Sequence, residues 1–561
     1  MTAGTVGSLL VRLLEEYGVR HVFGVPGGQT FALYQAILNR ANGPDAVQHV
    51  LLRDERSCAF AADSYARVSM TTGVCDATVG PGATNLVSGL GEAYSSSIPM
   101  LAIVSDINRG WGHLRHRATA LQALENPGDI FSTVSKWRCR IDTPDAAESA
   151  IDMAFHVANV GRPGPVVVEI PEDVFLSEVE TTPGLFSRPS HSPWYRCAPN
   201  PEDVARAAER IARASYPVVV AGGGALLSGA HEEIRQLTTL ARCPVVTTFS
   251  GRGVVEDDYR WSAGAIGLMG DPAANELLRR ADVVLFIGMK RGQFSTMNWT
   301  LPTEKATVLQ IDIDPETFDR SDGAIALWSD AALGVRALIN HLTGIQDGFP
   351  LSLWDSDEIQ LLRSQRRSRI QRDARATGLV RPQDVFELLN SALLPEDIVV
   401  CDASLVSGWG ATLYDIRRSG RTLLTPRGLA GLGWGLPAAI GASLADPSRR
   451  VVCLAGDGAW GFSLGEVESL VRLELPVLSL VLNNSVLGWS KHGQERRMDG
   501  RSQSTRFAEV DYAQSARGLG AHGSSVETLP RLREAVRAWD RAPVPTVLNI
   551  VSDDVETPVL T

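Results

Sequence analysis

Short apolar runs, each followed by a segment with helical spacing of apolar residues, recur along most of the chain. VQHVLL before Arg53 and GVCDATVG at 73–80 have the length of buried strands, and AFAADSYARV and ATNLVSGLGEAY follow them as helices. The same rhythm returns in YPVVVAGGGA, CPVVTTFS, ADVVLFIGM and ATVLQIDID, and again in DIVVCDAS, RRVVCLAGDG and PVLSLVLNN. Runs that are apolar throughout, rather than alternating, suit strands covered on both faces, which is the texture of parallel sheets built from βαβ units. A helix is expected from about Ser463 to Leu473.

Two irregular stretches interrupt this pattern. The first, Thr181 to Pro201, is dense in Pro and Ser, and the second, Thr343 to Arg381, carries QDGFP and the charged run LLRSQRRSRIQRDARA. The expectation is an α/β protein of three doubly wound parallel-sheet domains, at residues 1–180, 195–345 and 375–555. The first and third blocks share their rhythm, which suits two related sheets.

Composition narrows the function. The 561 residues include 53 Lys plus Arg against 64 Asp plus Glu, a formal charge of -11, so no basic stripe is expected to meet a nucleic acid or an anionic membrane. The apolar runs are far shorter than the roughly 20 residues that span a bilayer, and MTAGTVGSLL lacks a basic region and a cleavage site. A cytoplasmic address is expected. The seven cysteines are scattered and never form C-x-x-C, which argues against a disulfide framework or a thiolate metal site.

The most informative spacing is in the third block. Val451 to Ala455 is a strand ending in Gly456-Asp457-Gly458, and Val477 to Leu482 is a second strand ending in Asn483-Asn484. A right-handed βαβ unit puts both strand ends on one edge of the sheet, where Asp457 and Asn484 offer a carboxylate and an amide oxygen to a hard cation. The flanking glycines let the backbone approach a phosphate. The bland alternative is a strand-end turn with Asp as a cap.

With these residues in view, the chain resembles the thiamine diphosphate (ThDP) enzymes of the acetolactate synthase type. The resemblance runs through GVPGGQTFALYQAI (24–37), RDERSCAFAADSYAR (53–67), VGPGATNLVSGLGEAYSSSIPML (79–101), GRPGPVVVEIPEDV (161–174), GLAGLGWGLPAAIGA (428–442) and GDGAWGFSLGEVESL with LNNSVLGW (456–489). It implies a pyrimidine-binding first domain, a central nucleotide-binding-like domain and a diphosphate-binding third domain. Asp457, the Asn484 side chain and the Val486 main-chain oxygen match the ligands of Mg2+, and Gly458 and Ala459 the amides that hold the diphosphate. Leu432 matches the residue that wedges the cofactor into its bent shape, and Ala430 the carbonyl that holds the aminopyrimidine. Glu55 matches the catalytic glutamate at the pyrimidine nitrogen.

Departures from the family pattern bear on the substrate. The usual His before the glutamate is Asp54, and Arg56-Ser57 replaces a Gln-Gly pair. Gly28 stands where pyruvate decarboxylases carry an acid, and their His pair is missing, which favours carboligation over aldehyde release. Gln122 resembles the pocket glutamine, with a spacing to Lys136 one residue too long. Leu487, Trp489 and His492 are expected to line the substrate side, whereas His113 and His116 suit a solvated loop.

In the central block, Gly222-Gly223-Gly224, Asp312 and Asp314 suit a nucleotide, although GGG fails the G-x-G-x-x-G fingerprint. FAD-containing relatives hold FAD there, but Arg291-Gly292-Gln293-Phe294 replaces their usual run, so FAD, another nucleotide and an empty domain all stay open. The resulting expectation is a ThDP- and Mg2+-dependent carboligase acting on a 2-keto acid, pyruvate first, and an acceptor carbonyl. It would work as a homodimer or homotetramer, because the family's site lies between two subunits. An oxidase, a decarboxylase or acyl transferase with another donor, and a non-catalytic paralogue are the rivals.

Overall fold

A computed structural model describes residues 2–558 apart from 42, 44, 117–118, 182–187, 322, 346–351 and 373–377. QDGFP and the end of the charged run therefore lie outside the described residues, and the run itself begins within the helix Ser356–Arg372.

Three six-stranded sheets, parallel throughout, form the framework. Numbering each sheet's strands in chain order, the first sheet (His21–Gly24, Gln48–Leu51, Gly73–Ala77, Met100–Asp106, Trp137–Arg140, Pro165–Pro171) is ordered 2-1-3-4-6-5. The third (Ile398–Cys401, Leu423–Leu424, Val451–Gly456, Leu478–Asn483, His522–Val526, Thr546–Val551) has the same order, so the shared rhythm of the two blocks reflects a shared topology. The central sheet, from Pro217–Ala221 to Ile325–Trp328, is ordered 3-2-1-4-5-6. In each sheet the direction of winding reverses beside the first strand, and such a reversal opens a crevice at the carboxyl ends where ligands bind.

The first and third sheets share one continuous core that includes Phe60, Trp434 and Trp460. Two helices make the junction, Glu55–Ser69 and Gly435–Ala445. Their backbones approach so closely that a Cβ at Gly441 would lie 2.1 Å from the Ala61 carbonyl oxygen. Ser64 Oγ donates to the Ala438 carbonyl at 2.7 Å, and Trp434 Nε1 donates to Asp63 at 3.0 Å. Burying two helix faces of Ala, Gly and Ser leaves no room for water, and it fixes where the ends of both sheets point.

The helix expected at Ser463–Leu473 is shorter and begins later, at Glu466–Arg472. A separate turn of helix, Asp457–Trp460, starts directly on the strand end. The helical path is broken between them because Asp457 itself begins the first turn, while Glu466 turns inward to accept the Arg53 amide at 3.1 Å. No helix among the described residues is long and apolar enough to cross a membrane.

Candidate functional site

At the switch point of the third sheet, a cavity of about 380 Å3 opens between the carboxyl ends of Ile398–Cys401 and Val451–Gly456. Ala430, Leu432, Asp457, Gly458, Ala459, Asn484, Val486, Leu487 and Trp489 all line it. Adjacent parallel strands bring Asp457 and Asn484 together: Gly456 is paired with Leu482, one and two residues before the two side chains.

The donor set is arranged for a cation. Asp457 is 2% exposed, and burial pushes its carboxyl up to about 6 although the Gly458, Ser485 and Val486 amides pull the other way. Asn484 donates its amide nitrogen to the Asp553 carbonyl at 3.3 Å, which leaves the amide oxygen free. Ser485, at φ 54°, turns the chain, and Val486 bridges Arg506 through bonds made by its neighbours, Leu487 N–H to Thr505 and Phe507 N–H to Ser485. The Val486 carbonyl oxygen is thereby left out of that pairing. One carboxylate and two neutral oxygens suit a small divalent ion that also takes phosphate oxygens, and fall short of an all-protein cage. Consistent with that, no cluster of three His, Cys, Asp or Glu that could hold a metal occurs among the described residues. A Cβ at Gly458 would lie 2.7 Å from Leu487 Cδ2, so a side chain there would have to displace the Leu487 tip.

The turn that carries Ala430 and Leu432 is held by two buried carboxylates that sequence reasoning missed. Glu92 accepts from the amides of Gly428 (3.0 Å), Leu429 (2.7 Å) and Ala430 (2.9 Å). It also takes Ser96 Oγ and Arg67, whose guanidinium pairs with Asp63 and lies over Trp434. Burial opposes the Glu92 charge, but Arg67, Ser96 and the amides outweigh it, and the carboxyl sits below its ordinary value. Asp402 accepts from the amides of Ala403 and Gly435, and burial pushes it up to about 6. Together they hold Ala430 at φ 59°, a left-handed conformation that costs a non-glycine residue about 1 kcal/mol or more. The available signals were a lone Glu on an otherwise uncharged helix and an Asp at a strand end.

Glu55, Gln122 and Gly28 do not line this cavity; they gather at the switch point of the first sheet. Asp54 caps the helix Glu55–Ser69 by accepting from Arg56 N–H, which explains a short acid at that position. Glu55 accepts from Asn85 Nδ2 at 3.0 Å, and its other oxygen would lie 3.1 Å from a Cβ at Gly82. The carboxylate therefore rests over the first turn of the helix Pro81–Ser96, where the helix dipole favours it. Arg56 turns away, donating to the Phe462 carbonyl and lying over its ring.

Gln122, at φ 63°, lays its carbonyl over the same turn, 2.5 Å from where a Cβ at Gly80 would stand. Gly28 is exposed, with open space where a side chain would go. Within one chain these three therefore stand at a different sheet edge from Asp457 and Asn484. His492 stands apart from the cavity lining in the single chain. It lies on the helix Gly488–Arg497, faces Glu495 at 3.6 Å and does not line the cavity, while burial and Lys491 lower its pKa. His116 lies on an exposed loop beside Glu125, as expected.

A second cavity, about 460 Å3, occupies the switch point of the central sheet. Gly222 and Gly224 pack on the Gly288 backbone too tightly for any Cβ. Asp312, pushed up to about 6 by burial, and Asp314, paired with Arg162 at 3.3 Å, stand at the end of Thr307–Asp312.

Comparison with known protein families agrees with this layout. Residues 4–126 match the thiamine pyrophosphate enzyme N-terminal TPP binding domain, 204–338 the central domain and 402–550 the C-terminal TPP binding domain. The fold and the paired sheet edges therefore define a thiamine pyrophosphate enzyme, with a cofactor-binding domain at each end.

The chain is 30% identical to a probable acetolactate synthase large subunit of Methanocaldococcus jannaschii, over 98% of this chain and 92% of that one. It is 31% identical to the acetolactate synthase isozyme 3 large subunit of Escherichia coli, over 92% and 89%, and 30% identical to the large subunit of Parasynechococcus marenigrum, over 96% and 86%. The chain belongs to the acetolactate synthase-like family of thiamine diphosphate enzymes.

Proposed function

We propose that the protein is a carboligase that removes CO2 from a 2-keto acid, pyruvate being the first candidate, and joins the acyl unit to an acceptor carbonyl. The observation that carries this reading is the buried Asp457 carboxyl, without a cationic partner among the described residues, beside the Asn484 and Val486 oxygens at a switch-point cavity. Those three would hold Mg2+, and the Gly458 and Ala459 amides would hold the diphosphate. When bound, thiamine diphosphate supplies the carbanion chemistry that makes an acyl carbon nucleophilic.

The chain's own residues prepare for it. Leu432 and Ala430 shape the wall on which the ring system would lie, and Glu92 and Asp402 keep that wall rigid. Glu55 would hold a proton at a ring nitrogen, with Asn85 and the helix beneath fixing its carboxylate. Trp489, 43% exposed, and Leu487 would keep water from the acceptor side, where stray protonation competes with carbon–carbon bond formation.

Glu55 and Asp457 lie on different sheet edges, so we assign the complete site to two copies of the chain, in a homodimer or a dimer of dimers. Leu121 beside Gln122 and Leu429 beside Ala430 are 85% and 58% exposed, apolar surface that suits such a contact. The central cavity has the turn and carboxylates to take a nucleotide cofactor, which Asp312 and Asp314 would hold by accepting hydrogen bonds; FAD is the proposed ligand, and flavin absorbance of the purified protein checks it.

Mass-spectrometric product analysis with ThDP, Mg2+, pyruvate and a panel of aldehyde and keto-acid acceptors tests the central reading. A coupled hydroxyketone is expected. No consumption of pyruvate while ThDP is demonstrably bound would remove pyruvate as the donor.

A further inference from the structure

The turn that carries Glu55 is held from outside its own domain, by residues 462–472 of the third domain. Arg472 Nη2 donates to the Leu51 carbonyl at 2.7 Å, Arg53 pairs with Glu468 at 3.9 Å, and Arg56 Nη2 donates to the Phe462 carbonyl at 2.9 Å. These lie at the surface. Glu466, 1% exposed, is the buried member of the set. Its two oxygens stand 3.1 and 3.3 Å from the Arg53 amide, Ser469 Oγ donates to Oε2 at 2.7 Å, and the Ser57 side chain bonds it as well. Burial, with the Asp54 charge adding to it, pushes the Glu466 carboxyl above its ordinary value, against the pull of both serines and the amide.

A carboxyl buried among hydroxyls and an amide is costly, and the neighbouring junction of the same two domains is closed with Ala, Gly and Ser instead. What this carboxyl adds is reach. The Arg53 N–H falls between the strand Gln48–Leu51 and the helix Glu55–Ser69, where neither ladder nor helix supplies an acceptor. Glu466 takes that N–H before Glu55 and a hydroxyl after it, so one group fixes the backbone on both sides of Glu55, while Asn85 of the first domain holds the Glu55 side chain. Ser57 stands where the family pattern has glycine, so the hydroxyl half of this clasp is a feature of this chain.

We propose that Glu466 is a positioning residue for Glu55, a third-domain carboxyl that sets where the proton-holding carboxyl of the first domain stands. The inference rests on the role assigned to Glu55 and is independent of which donor and acceptor the enzyme takes.

Exchange of the ThDP C2 hydrogen for deuterium, followed by NMR on the protein loaded with ThDP and Mg2+, reads the work of Glu55 without any keto acid. Amide exchange at residues 53–57 is measured on the protein without either, and ThDP affinity by titration. Glu466→Ala is expected to slow C2 exchange by about 10- to 100-fold, the effect of misplacing a reacting group by about 1 Å. Amide exchange at 53–57 should rise, and ThDP affinity should stay near that of the wild type. Glu466→Gln keeps an acceptor for the Arg53 amide and lets the serine hydroxyls accept in turn, so it should recover most of the rate; it also guards against a folding defect in the alanine variant. Ser57→Ala, which opens one side of the clasp, should slow exchange less than Glu466→Ala.

C2 exchange at the wild-type rate in Glu466→Ala, with Glu55→Gln still slow, would overturn the proposal and leave the role of Glu55 standing. A loss of ThDP affinity as large as the loss of exchange would also overturn it, because Glu466 would then support the Asp457 turn of its own domain. So would a glutamine variant as slow as alanine, which would make the charge of Glu466 the agent rather than its hydrogen bonds. If Glu55→Gln itself exchanges at the wild-type rate, the role assigned to Glu55 falls, and the proposal with it.

Discussion

Replacing Glu92 with Gln tests the claim that one buried carboxylate holds the wall of the cofactor cavity. In the native chain one oxygen accepts from Arg67, Ser96 and Gly428, and the other from Leu429 and Ala430. Glutamine keeps only one acceptor oxygen. Its amide nitrogen must face either the first three donors or the last two, so at least two bonds to a charged acceptor are lost and two N–H groups are set against an NH2. At about 1.5–3 kcal/mol for each such bond, the local cost is about 3–6 kcal/mol.

Arg67 is at the same time left with Asp63 as its single carboxylate partner, and breaking one side of a buried ion cluster costs a similar amount. Amide hydrogen exchange is the suitable assay, since a chain of several domains has no single unfolding free energy. Protection at Leu429 and Ala430 should fall by about two to four orders of magnitude, at 1.4 kcal/mol per factor of ten. Acid should narrow the difference between variant and wild type. The folded Glu92 pKa is depressed, so its stabilisation is present above the unfolded carboxyl value and is lost as pH falls through the folded one. Unchanged protection at 428–430 would refute the assignment of Glu92 as the clamp.

The remaining predictions concern the two sheet edges and their junction. Glu55→Gln should abolish coupled product while ThDP still binds, and Asp457→Asn should remove metal-dependent ThDP binding itself, both read by cofactor titration and product analysis. Gly441→Ala should lower the thermal midpoint and loosen the helix junction, because its Cβ would meet the Ala61 carbonyl at 2.1 Å and overpacking costs about 1–3 kcal/mol or more; a midpoint equal to wild type would refute that reading. Gln122→Gly should leave the fold intact and gain up to about 1 kcal/mol, since glycine takes the left-handed backbone without strain.

Much of the framework was legible in the pattern of apolar runs. GVCDATVG became the strand Gly73–Ala77 and PVLSLVLNN the strand Leu478–Asn483, both in parallel sheets, because strands buried on two faces leave short, mostly apolar runs without strict alternation. The pairing of Asp457 with Asn484 followed from the handedness of a single βαβ unit. Glu92 and Asp402 were not legible, because what matters about each is which backbone it meets across the fold. Glu92 meets amides more than 330 positions away, and no local pattern encodes that. The division of the site between two copies was expected from the family resemblance alone, since spacing places residues at a strand end but not which copy of the chain supplies the opposite face. The early end of the helical turn at Trp460 was missed for a local reason: Asp457 was read as a turn residue and is in fact the first residue of a helix.

Glu55 and Asp457 sit at the ends of two sheets with one topology, and that arrangement makes the protein open to complementation. When a chain damaged at Glu55 is mixed with one damaged at Asp457, random pairing gives hybrids in which one of the two composite sites collects both lesions and the other collects neither. Such a mixture of two inactive proteins would recover up to a quarter of wild-type turnover at equal input, because half the dimers are hybrids and each regains one of two sites.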